Sequence, residues 1–284
     1  MLNEKEVITS RQNPAIKQVC WLLDKKGRRE SGLFRFDGIK LFREAVACGL
    51  DIKQVYVREN APVDIRADVE SAEREGRINA RKITVVSEAV FEKISDEKSP
   101  EGIVTVAAFV KNKHMVLSHE NASDYRIDGG ERVLVAESLR DPGNLGTVIR
   151  SCATIGIDRL IISDDCADIY NPKTVRAAMG GLFRLNIDIV PSERLRDVIS
   201  ALRTSGRRVY ATALRREARI IGELELASGD CFVIGNEGHG LSESVIDACT
   251  DCAIIPMSEN SESLNAAAAA AICIWETVRA GRKN

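Results

Sequence analysis

No run of eighteen apolar residues occurs in this 284-residue sequence, so no membrane-spanning helix is expected. The opening stretch MLNEKEVITSRQNP lacks the apolar core of an export signal, which points to the cytoplasm. The eight cysteines, at 20, 48, 152, 166, 231, 249, 252 and 273, are then expected as reduced thiols rather than a disulfide framework. Cys249 and Cys252 form a CxxC, but the three histidines, His114, His119 and His239, supply no second ligand pair at zinc-site spacing. No metal is expected on that ground. A net charge of −2 argues against a uniformly basic nucleic-acid clamp. Two nucleotide signatures are missing as well. G-x-x-x-x-G-K-[ST] is absent, and no G-x-G-x-x-G follows the first strand, so NTPase and dinucleotide oxidoreductase readings have little support.

What is present is the composition of an ordinary globular protein, 44% hydrophobic and 29% charged, long enough for two modest domains or one large one. Cations gather in two places. Residues 11–58 hold eleven Lys/Arg against five Asp/Glu, and residues 203–219 hold six arginines against Glu217 alone. Either patch suits a phosphate backbone, and either also suits a solvated helix face.

Periodicity divides the chain. Residues 14–29 suggest one basic amphipathic helix after Asn13-Pro14. Strands at 33–36, 52–57, 83–86 and 103–110 alternate with helices at 39–48, 65–76 and 87–94, giving a compact α/β unit over 1–110. Periodicity lapses over 111–131, where Gly129-Gly130 and polar residues suggest a linker, although Met115-Val116-Leu117 could still pair in a sheet. The remaining unit, 132–284, alternates strands at 132–137, 159–163, 185–190, 209–214, 231–235 and 253–256 with helices at 144–156, 172–179, 192–204 and 263–279. That alternation predicts a parallel sheet with helices on both faces.

Ligands of such sheets sit beyond the carboxyl ends of the strands. Three loops with unusual chemistry leave those ends: SLRDPGNLGTVIR (138–150), GNEGHGL (235–241) and PMSENSESLN (256–265). A glycine loop allows close backbone approach to a ligand. Glu237 inside it would repel a pyrophosphate but tolerate a cationic centre.

Together the three loops resemble the ordered motifs of the SpoU, or TrmH, family of RNA 2′-O-ribose methyltransferases. The matches are Asn144–Arg150, FVIGNEGHGLS (232–242) and IPMSENSESLNAAAAAA (255–271), with NPKTVRAAMGGLFRL (171–185) resembling the stretch between motifs. The N-terminal ITSRQNPAIKQVCWLLDKKGRRESGLFRFDGIKL (8–41) is similar to the substrate-binding domain of rRNA-directed members, a domain of the ribosomal L30e type. The resemblance implies a C-terminal α/β knot, a deep trefoil with a parallel sheet, behind a smaller L30e-like domain. It implies a homodimer and S-adenosylmethionine as methyl donor, with RNA as partner, rRNA before tRNA.

Carried over residue by residue, it implies catalytic roles for Arg150, Asn144, Glu237, Ser263 and Asn265. Cofactor contacts fall to Gly235, Asn236, Glu237, Gly238, Ile255, Met257 and Leu264. Read without the resemblance, Asn144 is a helix N-cap, Arg150 a helix-face ion pair, and Ser263 and Asn265 caps for the last helix. Arginine is a poor base, so Arg150 suits phosphate binding and alkoxide stabilisation better, with a base role left open. The sequence departs from many relatives at Glu259, where glycine is usual, and at Ala178, where serine is usual. Rival readings are a tRNA ribose methyltransferase with the same core and a non-catalytic RNA-binding protein.

Overall fold

The computed structural model describes residues 2, 5–118, 125–127, 129–215, 217–227, 229–236, 238–258 and 263–281. Two units emerge. One comprises Met1–Val110 with Asp168–Phe183, the other Lys111–Ala167 with Arg184–Asn284. This division differs from the sequence expectation of 1–110, 111–131 and 132–284, because the segment from Asp168 to Phe183 packs with the first unit.

The first unit contains β1 (Val7–Ile8), α1 (Pro14–Trp21), α2 (Lys25–Ser31), β2 (Leu33–Asp37), α3 (Ile39–Ala47), β3 (Ile52–Arg58), α4 (Val63–Arg74), β4 (Ile83–Val86), α5 (Glu88–Ile94) and β5 (Ile103–Ala108). Its sheet runs β1-β4-β3-β5-β2, with β3 and β2 antiparallel to β5. Ile16, Val19 and Leu22 bury one face of α1 against Val90, Phe91 and Ile94 of α5 and Val104 and Val106 of β5.

The expected single helix over 14–29 is two helices. Asn13 caps the first, its side chain accepting from the Ala15 N–H, with Pro14 at the first position. The chain then turns at Leu22–Asp24. Buried Arg28 donates Nη1 to the Leu22 and Leu23 carbonyls at 2.9 and 2.7 Å and pairs with Asp168 at 2.6 Å. Gly27 permits the turn, since a Cβ there would lie 2.2 Å from the Trp21 carbonyl oxygen. The inserted segment adds aromatic packing within the same unit: Tyr170 stacks on Phe109 with centroids 4.0 Å apart, and Phe183 lies against Phe34 and Phe36.

The second unit holds β6 (His114–Val116), β7 (Val133–Ala136), α6 (Pro142–Ile155), β8 (Arg159–Ser163), β9 (Asn186–Val190), α8 (Leu195–Thr204), β10 (Val209–Thr212), β11 (Arg219–Ile220), β12 (Cys231–Ile234), α9 (Glu243–Ala248), β13 (Asp251–Ile254) and α10 (Ala266–Gly281); α7 (Pro172–Ala178) belongs to the first unit. Its sheet has the order β11-β13-β10-β12-β7-β8-β9-β6, every pairing parallel. The central strands VLVA and CFVI are buried at every position, as a sheet covered on both faces requires. Val133, Val135, Cys231 and Val233 face α8 and α9. By the two-residue alternation of a strand, Leu134, Ala136, Phe232 and Ile234 face the opposite side, where α6 and α10 pack. β6 lies inside the stretch read as a linker and pairs with β9; β1, β11 and α9 were not expected from the sequence.

Helix starts also differ from the sequence reading. Asp141, not Asn144, caps α6, its carboxylate accepting from the Asn144 N–H at 2.8 Å. Gly156, in the left-handed region at φ 111°, ends the helix. The last helix begins at Ala266 rather than near Ser263. Its cap is Asn265, whose side-chain oxygen accepts from Ala267 and Ala268 at 3.0 and 3.3 Å.

Candidate active site

Three neighbouring strands of the parallel sheet, β13, β10 and β12, end at the same edge, and a cleft of about 470 Å³ opens between the loops that leave them. Thr212–Arg215 come from the end of β10 and beyond, Ile234–Asn236 and His239–Leu241 from the end of β12 and its glycine loop, and Ala253–Ile255 with Met257 from the end of β13 and beyond. Ser263, Leu264, Ala266 and Ala269 close the wall from the start of α10. The volume is that of a site for a single small ligand, and the walls are mainly aliphatic and backbone.

The glycine loop is shaped by its own hydrogen bonds. Asn236 and Gly240 bond backbone to backbone in both directions, at 3.1 and 2.9 Å. The Asn236 side-chain oxygen accepts from the Gly238 and His239 N–H groups, while its amide donates 2.8 Å to the Ser138 carbonyl. Gly235 has no room for a side chain: a Cβ would lie 2.5 to 2.7 Å from backbone atoms of Gly240 and Leu241. A loop this close to its own return strand presents backbone rather than side chain to the cleft.

Of the residues expected to meet a cofactor, Gly235, Asn236, Ile255, Met257 and Leu264 line the cleft, as does Ser263. Gly238 lies on the same loop but not in the lining. Glu237 lies outside the described residues, as does Glu259. Asn265 and Asn144 meet directly, the Asn265 amide donating 3.1 Å to the Asn144 side-chain oxygen. That bond ties the cap of α10 to the first turn of α6. Arg150 stands two turns further along α6, exposed, outside the cleft lining and without an ion pair to any described residue. The helix-face ion pair read for it from sequence is therefore not formed among the described residues.

A second network braces the glycine loop through Asn236, and the sequence offered no sign of it. Ser138 follows β7 with φ 55°, a left-handed conformation rare outside glycine. Its N–H donates 2.8 Å to the Ser163 hydroxyl, its own hydroxyl donates 2.5 Å to Asp165, and its carbonyl receives Asn236. Asp165 also accepts from Ser163 at 2.6 Å and from Arg140 at 3.1 Å. Burial raises the Asp165 carboxyl, but the bonds from Ser138, Ser163 and Arg140 outweigh it and hold it below the usual carboxylate range. Glu137 meanwhile accepts from the Ser242 N–H and hydroxyl at 2.8 and 2.6 Å, closing the far side of the glycine loop. Thr212–Arg215 were likewise missed as lining, although the carboxyl-end rule applied to the strand read at 209–214 would have found them.

The CxxC lies near the opposite ends of these strands. Burial raises both thiols, Cys249 to about 12, so neither is an activated thiolate in the metal-free chain.

An all-parallel α/β unit with a glycine-loop cleft at its strand ends defines a small-molecule-binding α/β domain, here joined to a second, mixed-sheet unit. Comparison with known proteins narrows the class. The SpoU rRNA Methylase family model matches residues 131–275, and an MRM3-like substrate binding domain matches residues 13–105. The chain belongs to the SpoU rRNA methylase family. It is 27% identical to the 23S rRNA (guanosine(2553)-2′-O)-methyltransferase RlmP of Bacillus subtilis, covering 94% of this chain and 97% of that one. An AdoMet-bound rRNA methyltransferase structure from Sinorhizobium meliloti superposes with a TM-score of 0.79 at 28% identity, covering 96% of this chain and 97% of the other. An RNA 2′-O ribose methyltransferase crystal structure gives the same TM-score at 27% identity, over 98% and 100% of the two chains.

Proposed function

We propose that this protein transfers a methyl group from S-adenosylmethionine to a ribose 2′-hydroxyl of rRNA, most simply in the large-subunit RNA. The observation that carries the reading is the cleft itself: the second and third sequence motifs form two of its walls, at the carboxyl ends of parallel strands β12 and β13, which flank β10. Its residues fit the cofactor. Aliphatic side chains of Ile234, Ile254, Leu241 and Leu264 suit an adenine ring, and the tight backbone at Gly235 leaves peptide groups to bond its polar edge. We assign Gly235, Asn236, Gly238, Ile255, Met257 and Leu264 to cofactor binding. Glu237 joins them as an acid that tolerates a cationic ligand.

S-adenosylmethionine, when bound, supplies a methyl group already activated on a sulfonium centre. The chain's task is to position the ribose and manage the proton leaving its 2′-hydroxyl. A guanidinium is a poor base, so the role of Arg150 is to hold an adjacent phosphate and offset charge developing on the attacking oxygen. Asn144, fixed by Asn265, orients that end of α6, and Ser263 offers a hydroxyl in the cleft wall.

Arg150 on an exposed helix face needs a second surface to complete a site. Ile272 and Trp275 of α10, which packs on α6, are 36% and 50% exposed. These features support a homodimer in which Arg150 of one copy serves the cleft of the other. We also assign the second unit to the knotted α/β class. The strand order, with β12 between β10 and β7, and the return of α10 across β12 to α6 support this. The first unit is assigned to the L30e-like substrate-binding type, as its match to the MRM3-like domain and its mixed sheet support. Work on rRNA with reduced thiols fits a cytoplasmic protein.

The test is direct. The purified protein incubated with labelled S-adenosylmethionine and deproteinised rRNA should yield 2′-O-methylated nucleosides by mass spectrometry after digestion. Base-methylated products alone, or no cofactor binding by calorimetry, would overturn the proposal. Methylation of tRNA in preference to rRNA would move the substrate class and leave the chemistry intact.

A further inference from the structure

The turn between α1 and α2 presents an exposed indole in a cationic setting that the methyl-transfer cleft does not use. Trp21 ends α1 and is 39% exposed; Leu23, in the turn, is 37% exposed. Lys17 lies one helical turn before Trp21 on the same face, and Lys25, Lys26 and Arg29 are exposed along α2. Only Asp24 and Glu30 oppose these four cations on the same stretch, and Lys26 reaches Glu30 at 3.8 Å.

The indole is also held in place. A Cβ at Gly27 would lie 2.9 Å from the Trp21 ring, so the ring rests on glycine backbone. Arg28, 2% exposed, grips the Leu22 and Leu23 carbonyls and is itself pinned by Asp168, both partners lying within the first unit. A large aromatic that is rigid before binding loses little entropy when a ligand covers it.

We propose that Trp21 is a stacking platform for an unpaired nucleobase of the RNA, with Lys17, Lys25, Lys26 and Arg29 holding the flanking phosphates. Aromatic stacking combined with backbone cations is the chemistry that captures single-stranded nucleic acid, whereas a base within a duplex has its faces covered by its neighbours. The proposal rests on the RNA-directed reading above and makes it narrower: the substrate offers a single-stranded or bulged nucleotide to the first unit.

The experiment measures binding of the full-length protein to a fluorescently labelled, unstructured oligoribonucleotide and to a blunt RNA duplex of equal length, by anisotropy at several salt concentrations. Trp21→Ala should weaken single-strand binding by about 5- to 150-fold, leave its salt dependence unchanged, and barely affect the duplex. Trp21→Phe should restore most of the affinity. The triple variant Lys25→Ala/Lys26→Ala/Arg29→Ala should instead flatten the single-strand log–log salt slope by about 2. S-adenosylmethionine affinity and melting temperature, measured on each variant, should match the wild type. Equal single-strand affinity for wild type and Trp21→Ala, or equal losses for strand and duplex, would overturn the platform. If Trp21→Ala also melts early, Trp21→Phe decides: a folded Phe variant that binds like wild type upholds an aromatic requirement, and one that binds as poorly as Ala refutes it. Wild-type protein that methylates rRNA but ignores the Trp21 substitutions would leave the enzymatic reading standing and sink only the platform. Wild-type protein that binds no RNA would sink both.

Discussion

Replacing Gly235 with alanine should impair the cofactor cleft in a way that replacing Gly238 does not. At Gly235 the added Cβ would sit 2.5 Å from the Gly240 carbonyl carbon, 2.6 Å from the Leu241 nitrogen and 2.7 Å from the Gly240 oxygen. All three are backbone atoms, so no side chain can swing aside. Real Cβ contacts essentially never fall below 3.0 Å, so the two arms of the loop must part by about 0.5 Å. That movement strains the Asn236–Gly240 hydrogen-bond pair and with it the wall of the cleft. Overpacking of this kind costs about 1–3 kcal/mol. Where the parted loop must be drawn back to hold the ligand, that cost appears as about 5- to 150-fold weaker S-adenosylmethionine affinity. At Gly238 the nearest atom is the Asn236 side-chain oxygen at 3.4 Å, an ordinary contact, and the peptide N–H that bonds Asn236 is kept. Gly238→Ala should therefore bind within about twofold of wild type. Isothermal titration calorimetry gives both affinities, and thermal melts show whether Gly235→Ala remains folded. Undiminished cofactor binding by folded Gly235→Ala, or an equal loss in both variants, would refute the claim that tight backbone return at 235 shapes the cleft.

Other outcomes follow from the same geometry. Arg150→Ala should abolish detectable methyl transfer while leaving cofactor affinity within about twofold, because Arg150 lies outside the cleft lining; unchanged turnover would remove it from the mechanism. Asp165→Asn should lower stability by about 1–3 kcal/mol in urea melts and weaken cofactor binding, because Asp165 holds Ser138, whose carbonyl anchors Asn236 of the cleft wall. The Asp165 carboxyl is held low in the folded state, so its stabilisation is complete above its unfolded value of about 3.9 and is lost as pH falls through the lower folded one. The wild type should thus lose stability on acidification more steeply than Asp165→Asn; parallel curves from pH 6 to 3 would refute that. Trp275→Glu, placing charge on the half-exposed face of α10, should yield monomers by light scattering at micromolar concentration and lose activity. A wild type that is itself monomeric would refute the shared-site reading.

Much of the fold was legible because its signals are local. The strands at 133–136, 159–163 and 231–234 are short apolar runs between turn residues, and α8 buries Leu195, Val198, Ile199 and Leu202 at helical spacing. The break at Leu22–Asp24 was hidden because 14–29 keeps an amphipathic pattern across it. What stops the helix is Arg28 reaching back to two carbonyls and outward to Asp168, 140 residues away. Asp141 took the cap read at Asn144 because both are good caps, and only backbone geometry chose between them. β6 was obscured because three residues with no partner in view carry almost no pattern.

The candidate site divides along the same line. The sequence by itself determined the chemistry carried by the motif loops: the glycines at 235, 238 and 240, Arg150, the Asn144 and Asn265 amides, and Ser263. The order of the motifs alone carries the resemblance to their family. Only the tertiary structure decided which of these meet. It seats β12 between β10 and β7, so that loops distant in sequence share one cleft, and it brings Asn265 to Asn144 across 121 residues. It also sets Ser138 in a left-handed turn over Asp165, and it keeps Arg150 out of the cleft on an exposed helix face. The reason is physical. Helix and strand periodicity are written in neighbouring residues, whereas strand order and side-chain meeting points are set by burial and hydrogen bonding between segments that no local pattern connects.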